Sequence, residues 1–145
     1  MSDRINIQKL EPKAYEALFG VEAYLGKTSI SPQLRELIKI RASQINGCAF
    51  CISMHTKQAR KLGESEERIY ALSAWRESNQ FSKTERAILA LTDETTNISH
   101  CGVSDETYEN ASTHLKVNEL AEVIVQIAII NTWNRIAVAT QIAGG

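Results

Sequence analysis

The run Asn46-Gly47-Cys48-Ala49-Phe50-Cys51-Ile52-Ser53-Met54-His55 sets two thiols three positions apart and an imidazole four further on. Two thiols at this spacing can close and open a disulfide, and a nearby imidazole can serve as their base. On a helix, at about 100° per residue, Cys51 and His55 lie about 60° and 20° around from Cys48. All three then project from one narrow face. Such a face can do redox chemistry, and little else in the chain competes with it.

A thiol is a weak nucleophile until it loses its proton, and a free cysteine is mostly protonated at neutral pH. Gly47 is placed to end one helix, so Cys48 and Cys51 fall in the first turn or so of the next. Exposed N–H groups and the positive end of the helix dipole favour a thiolate there. His55 follows Cys51 at the i+4 spacing that lets side chains meet, where it can take the thiol proton.

A third group follows from hairpin geometry. If helices over 32–46 and 48–62 fold back antiparallel around Gly47, residues at similar distances from the turn become neighbours. Glu36 lies eleven positions before Gly47 and His55 eight after, which at about 1.5 Å per residue brings them roughly to one level. Glu36 is then placed to orient the imidazole and raise its basicity, as in a nucleophile–base–orienter arrangement. Ser43 and Gln44 lie nearer the thiols, with no role assigned by spacing.

The elements that must position these groups read as helices, near 12–26, 32–46, 48–62, 65–76, 82–97, 104–115 and 118–141. Pro12 and Pro32 both sit where a helix can begin, and Ser31 supplies a cap before Pro32. Ser82-x-x-Glu85 reads as a capping box, and Ser104 is followed by acid in a first turn. Gly47, Gly63 and Gly102 mark breaks. Helical apolar spacing is clear in Leu34, Leu37, Ile38 and Ala42, and again in Ala87, Ile88, Leu91 and Thr92. No stretch sustains the alternation of a strand, so an all-α domain of about six to seven helices, without a sheet, is expected.

The last helix is apolar on nearly every side, which requires burial all round. In 145 residues, room for one domain with a real core, part of that burial is expected from other subunits. The segment Leu120–Ala139 carries Glu122, Gln126, Asn131, Asn134 and Arg135, a polar load that argues against a bilayer span. The formal net charge of −1 supplies no drive toward nucleic acid or anionic membrane. Met1-Ser2-Asp3-Arg4-Ile5 lacks the apolar stretch of a signal peptide. A cytoplasmic location is expected, where a Cys-x-x-Cys pair is more often catalytic or metal-binding than a permanent bridge.

The run from Glu36 to His55, Glu36-Leu37-Ile38-Lys39-Ile40-Arg41-Ala42-Ser43-Gln44-Ile45-Asn46-Gly47-Cys48-x-x-Cys51-x-x-x-His55, resembles the core motif of AhpD-like alkylhydroperoxidases, in the carboxymuconolactone decarboxylase superfamily. The likeness extends through Trp75-Arg76-Glu77-Ser78, Phe81-Ser82-x-x-Glu85-Arg86 and Asn131-x-Trp133-Asn134-Arg135, and so covers nearly the whole chain as a single domain, 1–145. The resemblance implies an all-α homo-oligomer of helical hairpins, trimer or hexamer, with thiol peroxidase activity. It implies Cys51 as the peroxidatic thiol, Cys48 as resolving partner and proton donor, and Glu36 with His55 as proton relay. It further implies a hydroperoxide substrate and a dithiol reductant, of protein or lipoyl type, with no metal, haem or flavin. In one respect the chain departs: the family's second histidine, just before the peroxidatic cysteine, is Phe50 here. At about 200° from Cys48 on a helix, Phe50 is expected to point away from the reactive face. The decarboxylase branch works without the cysteine pair, which makes lactone chemistry a poor match.

Other readings stand beside this one. A zinc site would need a fourth ligand, with Cys101 or His100 as candidates. A dithiol–disulfide oxidoreductase or electron carrier keeps the disulfide without the peroxide, and a redox-responsive or structural interaction protein keeps neither activity. Cys101 reads as a small packed residue, His100 and His114 as solvated, Met54 as core filler, and Trp133 and Arg135 as core or interface residues, with lining of the substrate pocket as their lesser alternative.

Overall fold

The computed structural model describes residues 4–143, and among them there is no strand. The chain forms α1 (Ile7–Leu10), α2 (Pro12–Leu25), α3 (Pro32–Asn46), α4 (Ala49–Lys61) and α5 (Glu66–Ala71). A 3-10 helix (Leu72–Glu77) follows, then α6 (Lys83–Thr96), α7 (Ile98–Cys101), α8 (Asp105–His114) and α9 (Val117–Thr140). The all-α reading holds. Two four-residue helices, α1 and α7, exceed the expected number, because elements of one turn carry too few apolar positions to show a period. The helix expected over 65–76 divides into α5 and the 3-10 helix after Ala71, and the 3-10 segment is itself kinked at Ala74, at φ −133° and ψ 38°.

The starts form where side chains can satisfy orphaned N–H groups. Ser31 accepts from Leu34, Ser65 from Arg68, and Ser104 from Thr107, while Ser82 and Glu85 make the reciprocal capping box. Arg68 then ties this region together, pairing with Glu64 and with Glu85.

The hub is α3, which packs against α4, α6 and α9. Its Ile38 belongs to a core with Ile88 and Leu91 of α6, Ala111 of α8, and Leu120, Val123 and Ile127 of α9. Its Leu37 and Ile40 belong to a second core with Ala59 of α4, Ile69, Leu72, Trp75, Phe81 and Leu89. Burying each such Leu or Ile side chain contributes about 1.5–3 kcal/mol, so α3 is clamped from two sides. By length and composition α9 passes as a membrane-crossing helix. Here its Val123, Ile127 and Ile130 are buried in the protein, as are the polar Gln126 and Asn134. Val117, Val125 and Val138 of the same helix stay exposed.

Candidate active site

Gly47 takes the left-handed conformation, φ 65° and ψ 34°, which a residue without a side chain enters cheaply. Its N–H donates to the Gln44 carbonyl at 3.3 Å, and the Cys48 N–H donates to the Ser43 carbonyl at 3.0 Å. This is the Schellman closure of α3. Cys48 is at the same time the N-cap of α4, its sulfur accepting from the Cys51 N–H at 3.3 Å. One residue thus ends one helix and starts the next, which sets both sulfurs at the positive end of α4. The two cysteines are joined as a disulfide, with Cα atoms 5.3 Å apart, inside the normal span for such a bond.

The turn is anchored from α9. Asn46 Nδ2 donates to Asn131 Oδ1 and Asn134 Oδ1, both at 2.9 Å. Asn134, fully buried, donates in turn to Ser43 Oγ at 3.0 Å. Ser43 therefore supports the turn through its carbonyl and its hydroxyl. Gln44 contributes its carbonyl to the turn, its side-chain Oε1 accepts from Arg41 at 3.5 Å, and the residue lines a groove with Ile52 and Tyr70.

Across the hairpin, Glu36 Oε2 lies 2.8 Å from His55 Nδ1. Lys39 Nζ stands 3.3 Å from the other oxygen, Oε1. Burial works to raise the Glu36 carboxyl, but the His55 hydrogen bond, the Lys39 charge and the imidazole charge outweigh it, and the net pKa falls below the ordinary 4.5. Glu36 is held as an anion facing the imidazole.

Cys51 and His55 open onto one cavity of about 610 Å³, between α4, α2, the end of α9 and the segment around Asn6. Its α2 wall is aromatic: the Tyr15 and Phe19 ring centroids lie 5.2 Å and 5.5 Å from that of Trp133. Trp133 is fixed by donating Nε1–H to Glu22 Oε1 at 3.0 Å. The segment before α1 is tied down where Arg4 donates to the Ala139 carbonyl at 2.9 Å. Cys48 is buried beside Ala137 in a small cluster with Cys51, and of the two cysteines it is Cys51 that lines the cavity.

The structure brings Cys48, Cys51, His55 and Glu36 together and corrects several neighbours. Phe50 does not turn away: it packs on the cysteine cluster and lines the cavity. The helix face fronting the cavity is broad, with Phe50 and Met54 beside Cys51 and His55 at i+4 spacing on adjacent rows. Met54 is exposed at this rim, not core filler. Cys101 is exposed, not packed, and lines a separate cleft with His100 and Asp93. Neither Cys101 nor His100 therefore supplies the fourth ligand a zinc site would need, and among the described residues no three His, Cys, Asp or Glu side chains converge as a metal site. His114 closes α8, its Nδ1 2.9 Å from the Asn110 carbonyl oxygen. Trp133 lines the cavity, the lesser of its two sequence readings, whereas Tyr15 and Phe19 carry no sequence expectation, although they stand at i and i+4 on α2, the spacing of a shared face.

The sequence profile of the carboxymuconolactone decarboxylase family matches residues 12–94, from α2 to α6. This chain belongs to the carboxymuconolactone decarboxylase family. All four candidate residues fall inside the matched stretch. An uncharacterized Bacillus subtilis protein, YdfG, is 43% identical over 139 residues, covering 96% of this chain and 95% of that one. An Agrobacterium tumefaciens protein of unknown function, whose crystal structure is associated by name with the antioxidant defence protein AhpD, is 40% identical with a TM-score of 0.96. That match covers 100% of this chain and 99% of the other. The debrominase Bmp8, crystallised as a cysteine-to-alanine variant with 2,3,4-tribromopyrrole, shares the fold at 19% identity and TM-score 0.85, over 95% of this chain and 74% of its own. Within the family, this member has the AhpD-like all-α fold and a disulfide-forming cysteine pair.

Proposed function

We propose that this protein is a thiol-dependent peroxidase of the AhpD type, cycling through the Cys48–Cys51 disulfide. The observation that carries the reading is that Cys51 and His55 share one cavity while the His55 Nδ1 is engaged by a carboxylate held ionised. With Nδ1 on Glu36, Nε2 is the nitrogen left to exchange a proton with the reduced Cys51 thiol.

In the cycle, His55 takes the Cys51 proton and the thiolate attacks the outer oxygen of a hydroperoxide. The O–O bond breaks, sulfur is oxidised to sulfenic acid and the peroxide is reduced to an alcohol, whose oxygen receives a proton from Cys48 or the imidazolium. The Cys48 thiolate then displaces the hydroxyl of the sulfenic acid, which takes the remaining thiol proton from the His55 imidazolium and leaves as water as the disulfide forms. A dithiol donor, protein or lipoyl-type, restores both thiols by exchange and becomes a disulfide itself. Such a donor fits a cytoplasmic setting, where thiols are kept reduced. The exposed valines of α9 support assembly into a homo-oligomer, and trimer or hexamer is the state that the likeness to the AhpD type implies.

Phe50 favours a second reading. An apolar ring where the family's second histidine stands removes one proton-transfer group from the cavity, which suits a dithiol–disulfide oxidoreductase without physiological peroxidase activity. Peroxide consumption by the reduced protein, with Cys51→Ser as control, decides between them. Turnover abolished by the substitution supports the peroxidase; disulfide exchange without peroxide turnover supports the second reading.

A further inference from the structure

Lys39 has no part in the cycle above, yet its ammonium joins two carboxylates at the site. Its Nζ lies 3.3 Å from Glu36 Oε1 and 3.9 Å from Glu22 Oε2, and its side chain is only 12% exposed. Glu36 gives its second oxygen to His55, and Glu22 gives its second oxygen to Trp133. A polar chain therefore runs from the cavity wall to the imidazole: Trp133, Glu22, Lys39, Glu36, His55.

A carboxylate alone against an imidazole favours the imidazolium. A protonated imidazole has no lone pair on Nε2 and cannot take a proton from Cys51. A cation on the far oxygen of that carboxylate offsets the effect, while the hydrogen bond keeps the ring oriented. The charged groups around His55 are few. Glu36 and Lys39 come from α3, Glu22 from α2 and Arg4 from the N-terminal segment, the last two on the shared cavity; Lys57 lies on its own helix, and the α9 residues lining the cavity carry no charge.

We propose that Lys39 is a positioning residue: it pins Glu36 and balances its charge, so that the carboxylate orients His55 without driving it to permanent protonation. Its meaning for catalysis rests on the peroxidase reading, but its test does not. Histidine NMR titration of the disulfide form, where neither cysteine titrates, reads His55 directly. The chain has three histidines, so the His55 signal is assigned by its loss in His55→Gln, and His100 and His114 serve as internal references.

Lys39→Met moves the His55 midpoint to higher pH by about one unit, as expected for removing a nearby like charge. Lys39→Arg restores it, and Glu22→Gln, which leaves Lys39 less neutralised, moves it the opposite way. The reference histidines stay in place. If Lys39→Met does not fold, Lys39→Gln tests the same displacement. An unmoved or lowered His55 midpoint in the charge-removing variant overturns the proposal, as does a shift shared by all three histidines. Peroxide turnover is measured separately, so failure of the peroxidase reading leaves this outcome untouched.

Discussion

Glu36 and His55, nineteen positions apart in sequence, meet at 2.8 Å across the α3–α4 hairpin. The contact exists because Gly47 reverses the chain in a left-handed turn and Cys48 restarts it at once, leaving no loop to absorb error. A pair held this way can tune the thiol one helical turn before His55.

The first consequence concerns thiol reactivity. In the reduced protein, Glu36→Gln and His55→Gln each displace the pH profile of Cys51 alkylation to higher pH, since each weakens proton removal from the thiol. Peroxide turnover falls by about 100-fold in His55→Gln, the usual scale for losing a general base. Alkylation profiles unchanged in both variants would remove the relay from the mechanism.

Acid stability follows from the Glu36 shift. Its folded pKa lies below the unfolded 4.5, so the folded state binds fewer protons and gains stability from this group. That gain is fully present above about pH 4.5 and is lost as pH falls through the depressed folded value. Glu85, also lowered because the Arg68 bond and the Ser82 amide outweigh the opposing effect of burial, adds an acid-labile contribution of the same sign. Urea unfolding at a series of pH values therefore shows the stability gap between the parent and Glu36→Gln narrowing on acidification. A gap that stays constant below about pH 4.5 contradicts this assignment.

The amide network behind the cysteine turn carries its own cost. Asn134→Ala removes the acceptor of Asn46 and the donor to Ser43 at a fully buried position. Leaving such groups unpaired destabilises by about 2 kcal/mol, measurable as a lowered urea midpoint with unchanged slope. A loss under about 0.5 kcal/mol, the level of a surface change, would show that the network is not structural.

Phe50 gives a gain-of-function test. Phe50→His returns a proton-transfer group to a position that lines the cavity, and raises peroxide turnover by about ten-fold. No change would mark the position as peripheral to the chemistry.

Much of this was legible in the sequence, for identifiable reasons. The caps at Ser31, Ser82 and Ser104 and the glycine at position 47 are local signals, so the boundaries of α3, α6 and α8 came within a residue or two. The Glu36–His55 meeting was reachable because a hairpin with no loop turns sequence distance into height. The cavity was not, since its walls come from α2, α9 and the segment around Asn6, and no periodicity within one element reports which others it faces. Phe50 was misplaced for the same reason: a helical wheel gives an angle, not the breadth of the cleft that the helix borders.

The Cys48–Cys51 peroxidase cycle is put to the test by mass spectrometry of the reduced protein before and after one equivalent of organic hydroperoxide. The expected result is loss of two hydrogens per chain, a Cys48–Cys51 peptide bridge and one equivalent of alcohol, all abolished in Cys51→Ser. A chain that stays fully reduced with the peroxide intact, or one oxidised elsewhere with Cys48 and Cys51 unjoined, would contradict it.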